Sequence, residues 1–393
     1  MSTVEARAKT KTHRARPRPP FEQVALVLQG GGALGAYQAG VYEALAEADL
    51  HPDWVAGISI GAINTAIIVG NAPESRVDKL RAFWEGATAP FWKGIESPYG
   101  QLLATGDALR SAINQLSAGF ALTSGAGGFF SLRLSLPWLA PAGTPEATSY
   151  YDTTPLRQTL ERLVDFDRIN AGGMRFSVGA VNVRSGNFVY FDNKTHTIGP
   201  EHVMASGALP PGFPAIEIEG EHYWDGGLVS NTPLQWVIDA QPRCDTLAFQ
   251  VDLWDARGEN PRTMAQVMTR EKEIQYSSRT RANSDRVRQM QQMRNTLAML
   301  LQKLPEELRA GPEFAVLQEA SIRKVYNLVH LIYRARQYEG DSKDYEFSRL
   351  SMNDHWRSGY NDTVRTLRHP AVLERPQNAE GFLTFDLSRD GAD

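Results

Sequence analysis

Two short apolar runs, each cut off by a glycine turn, constrain this chain more than any other feature. Gln23–Leu28 (QVALVL) is apolar after its first residue and breaks at Gly30-Gly31-Gly32; Asp53–Ile58 (DWVAGI) breaks at Ser59 and Gly61. A run this short, without polar alternation, is what a strand buried on both faces shows. Residues 35–48 follow with Ala36, Ala39, Val41 and Leu45 at helical spacing, and Gly61–Val69 reads as a helix rich in small residues. Strand, tight turn and helix, twice in succession, predict an α/β fold on a parallel sheet.

The same grammar returns further on. After a helical stretch around Glu74–Glu85, Pro155–Leu163 reads as a helix. Arg175–Asn182 and Asn187–Tyr190 read as a hairpin turning at Ser185-Gly186, and Leu247–Val251 as another buried strand. Between them, residues 91–150 read as irregular. The part from Gly119 to Pro141 (GFALTSGAGGFFSLRLSLPWLAP) is apolar and aromatic but broken by glycine and proline. It suits either an insertion packed on the sheet edge or a cap over a pocket or lipid-facing surface. Past Thr263 neither glycine nor proline occurs until Pro305, which predicts one or two long helices. Val325–Tyr333 can return one strand to the sheet. The expected organisation is a disordered basic arm over residues 1–20, a catalytic domain over 21–260 and a mainly helical extension over 261–393.

Charge and cysteine content remove several function classes. A formal net charge of −4 offers no concentrated basic face for nucleic acid. The single Cys244 excludes an internal disulfide and a cysteine-built zinc site, and reads as a structural thiol. The first twenty residues are basic and proline-rich with no apolar stretch. They lack the core of an export signal, so a cytoplasmic location is expected, with peripheral contact to anionic lipid as the arm's alternative role. No stretch reaches the ~18–20 apolar residues of a membrane span.

The two turns carry the chemistry. Gly57-Ile58-Ser59-Ile60-Gly61 lies between a predicted strand and a predicted helix. A serine nucleophile needs its hydroxyl lifted clear at such a turn, and Gly57 and Gly61 leave room for the strained backbone. The helix N-terminus favours the negative charge that develops there. GGGALG, Gly30 to Gly35, can converge backbone N–H groups on a tetrahedral oxyanion, which makes Gly30, Gly31, Gly32 and Ala33 the oxyanion-hole candidates. The same run also fits a dinucleotide fingerprint, with Asp49 or Asp53 as its acidic residue. A serine elbow on the next strand argues against that reading. The hydroxyl further needs a base. None of His51, His196, His202, His222, His330, His355 or His369 has a local context aimed at Ser59. Asp225, freed by Gly226 and Gly227 in WDGGLVSNTPL, is the better candidate.

In this order, GGGALGAY, GISIGA and DGG resemble the patatin-like phospholipases, as do YDTTPLRQTL and the approach ASGALPPGFPAIEIEGEHYWDGG. The resemblance runs over roughly Val24 to Asp252. It implies a three-layer α/β/α fold, a Ser59–Asp225 dyad without histidine, an oxyanion loop at Gly30–Ala33, and hydrolysis of lipid acyl esters with neither metal nor cofactor. Gln29 stands where family loops often carry aspartate; it can still hydrogen-bond the turn. Acyl transfer to an acceptor other than water is the alternative chemistry, although malonyl-type transferases pair serine with histidine and here Ile58 precedes Ser59. A catalytically silent lipid-binding module is the alternative from another class. Nothing in the sequence fixes an oligomeric state.

Overall fold

The structure, a computed structural model, describes residues 12–14, 17–88, 106–278, 280–336 and 338–387. The expected strands form: β1 is Gln23–Leu28, β2 Trp54–Gly57, β5 Arg175–Asn182, β6 Phe188–Asp192, β9 Thr246–Asp252 and β10 Tyr326–Ile332. Four others join them: β3 Ser131–Leu132, β4 Tyr151–Asp152, β7 Ile216–Ile218 and β8 Glu221–Asp225; a last one, β11, is Phe382–Phe385. One sheet of nine strands runs β11-β10-β9-β1-β2-β5-β8-β7, with β6 paired to β5, while β3 and β4 pair separately. From β11 to β5 all pairings are parallel; β6, β7 and β8 add antiparallel ones.

Register explains where the site forms. Leu28 of β1 lies opposite both Gly57 of β2 and Val251 of β9, so these strands end together and their loops emerge at one edge. That edge, at the carboxyl ends of the strands, is where open α/β sheets hold ligands. Alternation splits β1 between two layers. Val24, Leu26 and Leu28 pack with helices α1 (Ala36–Glu47), α2 (Ile60–Val69) and α3 (Arg76–Ala87). Ala25 and Val27 pack on the other face with Leu234, Val237 and Val287. The result is the three-layer α/β/α arrangement.

The extension is mainly helical, as expected, and returns the expected strand, β10, to the sheet. It adds a second parallel strand, β11, and the helix Arg349–Leu367, which packs along α1. The two helices touch at backbone distance. A Cβ on Gly40 would lie 1.9 Å from the Trp356 carbonyl oxygen, and one on Gly359 would lie 2.0 Å from that of Tyr37. Met352 and Trp356 are thereby buried, a contribution of about 1.5–3 kcal/mol per large apolar side chain. Two expectations need correction. Residues 107–124, read as irregular, form one helix, Asp107–Ser124, whose core-facing side is lined by small and polar residues such as Asn114, Ala118 and Ala121. Its larger apolar residues point outward, so no inward stripe announced it. Residues 91–105, the start of that segment, and 1–11, most of the basic arm, lie outside the described residues. In the arm's described part His13 meets Glu47 at 3.0 Å and Arg18 pairs with Asp53 at 2.6 Å, contacts a free arm would not make.

Candidate active site

Topology brings Ser59 and Asp225 together. β2 runs along β5 as far as Gly57, opposite Val178; β8 approaches the same edge of β5 from the other direction and ends at Asp225, opposite Ala180. Two residues beyond Gly57 the chain reaches Ser59, level with Asp225. The Ser59 side chain faces the Asp225 carboxyl, whose Oδ1 accepts the Gly227 N–H at 2.7 Å. Asp225 is only 2% exposed. Burial pushes its pKa up to about 7, against the opposing pull of the Ser59 hydroxyl and the Gly227 N–H. A carboxylate so tuned accepts a proton near neutral pH.

The elbow is strained in the way the sequence implies. Ser59 has φ 55° and ψ −123°, a conformation that costs on the order of 1–3 kcal/mol for a residue with a side chain. Its N–H donates to the carbonyl and the hydroxyl oxygen of Ser206, both at 3.1 Å, which anchors the turn. The flanking glycines are required by contact. A Cβ on Gly57 would lie 2.3 Å from the Gly61 carbonyl oxygen, and one on Gly61 would lie 2.4 Å from that of Leu28.

The glycine loop is more selective than the sequence suggests. The Gly30 N–H donates to Asn231 O at 3.3 Å and the Ala33 N–H to Asp344 O at 2.8 Å, so these two candidates are not free to hold an oxyanion. The N–H groups of Gly31 and Gly32 have no partner among the described residues. Gln29, wholly buried, ties the start of the loop to other parts of the chain through both polar atoms of its amide: Nε2 donates to Thr232 Oγ1 and Tyr276 O, and Oε1 accepts the N–H groups of Leu253 and Trp254. Asn231 Nδ2 donates to the carbonyls of Gly30 and Tyr276 at 3.0 and 2.8 Å. Asp344 is held by Lys272, whose Nζ lies 2.9 Å from Oδ1. Tyr276, Lys272 and Asp344 all belong to the extension, which thus encloses the loop. No local motif marks Lys272, Tyr276 or Asp344; Ser206 and Asn231 fall within ASGALPPG and WDGGLVSNTPL, but those segments do not reveal their roles, because each acts through contacts between distant parts of the chain.

A cavity of about 300 Å³ opens over the pair. Ser59, Asp225 and the Gly30–Gly32 backbone form its polar end; Ile60, Ile63, Phe129, Phe130, Phe213 and Phe347 supply apolar wall. Phe129 and Phe130 come from the expected insertion and stack edge-on, with Phe213 and Phe347 against them. No histidine lines the cavity. Two buried ones have other company: His330 lies beside Ser284, and His355 lies 3.4 Å from Glu339. The dinucleotide alternative loses its acid, because Asp53 accepts the Val24 N–H at 2.7 Å at the far end of β1 from the glycine loop. Asp49 pairs with His51 at 3.5 Å.

The family model described as Patatin-like phospholipase matches residues 26–238, and one described as Patatin phospholipase matches residues 274–379. Comparison with curated proteins gives no match. Among solved structures, VipD from Legionella pneumophila is similar at 14% identity and a TM-score of 0.39, with 98% of this chain and 77% of that one covered. The first model spans more than half of the chain, from the glycine loop through the serine elbow to the Asp225 turn, and the chain therefore belongs to the patatin-like phospholipase family.

Proposed function

We propose that the protein hydrolyses acyl esters of lipids through a Ser59–Asp225 dyad. The observation that carries this reading is the Ser59 hydroxyl facing a buried carboxyl with a pKa of about 7, at the polar end of an otherwise apolar cavity. Asp225 takes the hydroxyl proton as Ser59 Oγ bonds to the ester carbonyl carbon. The oxyanion so formed faces the N–H groups of Gly31 and Gly32 and the start of α2, where aligned peptide dipoles favour negative charge. As the intermediate collapses, the carbon–oxygen bond to the alcohol breaks and Asp225 returns its proton to the leaving oxygen. In the second half Asp225 takes a proton from water, the hydroxide attacks the acyl-enzyme, and Ser59 leaves carrying that proton. The cavity suits an acyl chain, since its wall is apolar away from the dyad.

The test is hydrolysis of a nitrophenyl ester by wild type, Ser59→Ala and Asp225→Asn, with circular dichroism to show that each variant is folded. Loss of turnover in both folded variants supports the dyad. Turnover undiminished in either removes that residue from the mechanism.

A further inference from the structure

One face beside the cavity exposes apolar side chains where a surface would ordinarily be polar. Leu132 of β3 and Leu136 just past it are exposed, by 42% and 52%. Past β3 the chain presents Leu134, fully exposed, then Trp138 at 71% and Leu139 at 77%. Single exposed apolar residues are ordinary; a group of this size marks an interaction surface. Hydrogen bonds tie this segment to the cavity and to the end of helix Asp107–Ser124. The Tyr151 hydroxyl donates to Leu122 O at 2.9 Å, the Arg133 N–H to Tyr150 O at 3.0 Å, and the Tyr150 N–H to Pro211 O at 3.2 Å. Leu122, Tyr151 and Pro211 line the cavity, and Leu122, 45% exposed, gives its apolar wall an outlet to the surface.

The charge pattern selects the partner. Between Ser111 and Tyr150 the charged residues are Arg133 and Glu146 alone, and they pair with each other at 3.3 Å. A segment whose described charges pair with each other has little to offer an acidic or basic partner, and an exposed tryptophan among leucines suits the boundary between lipid head groups and acyl chains. We propose that this face, centred on Leu134, Trp138 and Leu139, docks on the surface of an uncharged lipid bilayer and passes an acyl chain along Leu122 into the cavity. The proposal rests on the cavity being the acyl site.

The experiment uses the full chain and two readouts. Binding is measured by co-sedimentation of the Ser59→Ala protein with phosphatidylcholine vesicles, which this variant leaves intact. Reaction is measured with soluble nitrophenyl butyrate on the otherwise wild-type chain. Neutral vesicles should bind the protein with less than about twofold change between low and high salt, since no surface charge drives the contact. Leu134→Asp with Trp138→Asp should weaken that binding at least about tenfold, because both side chains would enter the lipid boundary. The same pair should leave nitrophenyl butyrate hydrolysis within about twofold, since neither residue lines the cavity. Absence of vesicle binding overturns the proposal, as does binding confined to anionic vesicles or unaffected by the double substitution. So does a face occupied by a second copy, seen as an oligomer that the double substitution dissociates. A wild type inert towards the soluble ester refutes the hydrolase reading instead, and the vesicle result then stands separately.

Discussion

Replacing Asp225 by asparagine should abolish turnover and yet stabilise the folded chain in alkaline solution. The carboxyl has a folded pKa of about 7 against an ordinary value of 3.8, with desolvation as the main cause. A carboxyl whose folded pKa lies above its unfolded one holds its proton more tightly when folded. Its contribution to stability is therefore most favourable below the unfolded pKa and is lost as pH rises from about 4 to about 7. Some three units at about 1.36 kcal/mol each amount to a loss on the order of 4 kcal/mol once the group is fully ionised. Asparagine keeps an oxygen for the Gly227 N–H, which Asp225 accepts at 2.7 Å, and cannot ionise. Urea unfolding of both proteins at pH 5 and pH 8 gives the difference between them at each pH, in which all shared titrating groups cancel. The asparagine variant should gain on wild type by about 2–4 kcal/mol between pH 5 and pH 8. A change under about 1 kcal/mol, or of opposite sign, would show that Asp225 is not held in a desolvated site and would refute the base assignment built on it.

Other expectations follow from the same geometry. In kcat/KM against pH, wild type should lose tenfold per unit below about pH 7, reaching about 1% of its plateau at pH 5, since only ionised Asp225 accepts the proton. Lys272→Met leaves the Asp344 carboxyl without its cation and frees the segment whose carbonyl holds the Ala33 N–H. Steady-state kinetics should show kcat reduced about tenfold with KM within about twofold, and Lys272→Arg should restore it. Gly57→Ala places a methyl group 2.3 Å from a carbonyl oxygen and should cost about 3 kcal/mol or prevent folding. Gly86→Ala, on the exposed face of α3 with nothing within 4 Å, should instead raise thermal stability, by about 0.5–1 kcal/mol.

What could be read in the sequence was whatever is written locally. β1 and β2 announce themselves as unbroken apolar runs, and the GISIG elbow is set by its own residues, Gly57 against Gly61. Asp225 followed from the lack of a well-placed histidine and from two glycines beside it. The rest depends on contacts between distant residues. Which N–H groups of GGGA remain free is decided by Asn231 and Asp344, and nothing near Gly30 or Ala33 encodes their arrival. Helix Asp107–Ser124 escaped notice because its large apolar residues face outward. The helix Arg349–Leu367 reads as polar, and only the pairing of Gly40 with Gly359 lets it lie flat against α1. β11 is four residues long, too short for periodicity to single out, and its place beside β10 comes from the sheet.

The central claim is that Ser59 is a nucleophile activated by Asp225. A fluorophosphonate, which bonds to an activated serine with loss of fluoride, reports on both residues at once when adduct formation is followed by intact-protein and peptide mass spectrometry. The account predicts a single adduct on Ser59, formed at a rate that rises with pH through about 7, where Asp225 ionises, and suppressed in folded Asp225→Asn. An adduct on another residue, or labelling of Ser59 at the same rate in the asparagine variant, would contradict it.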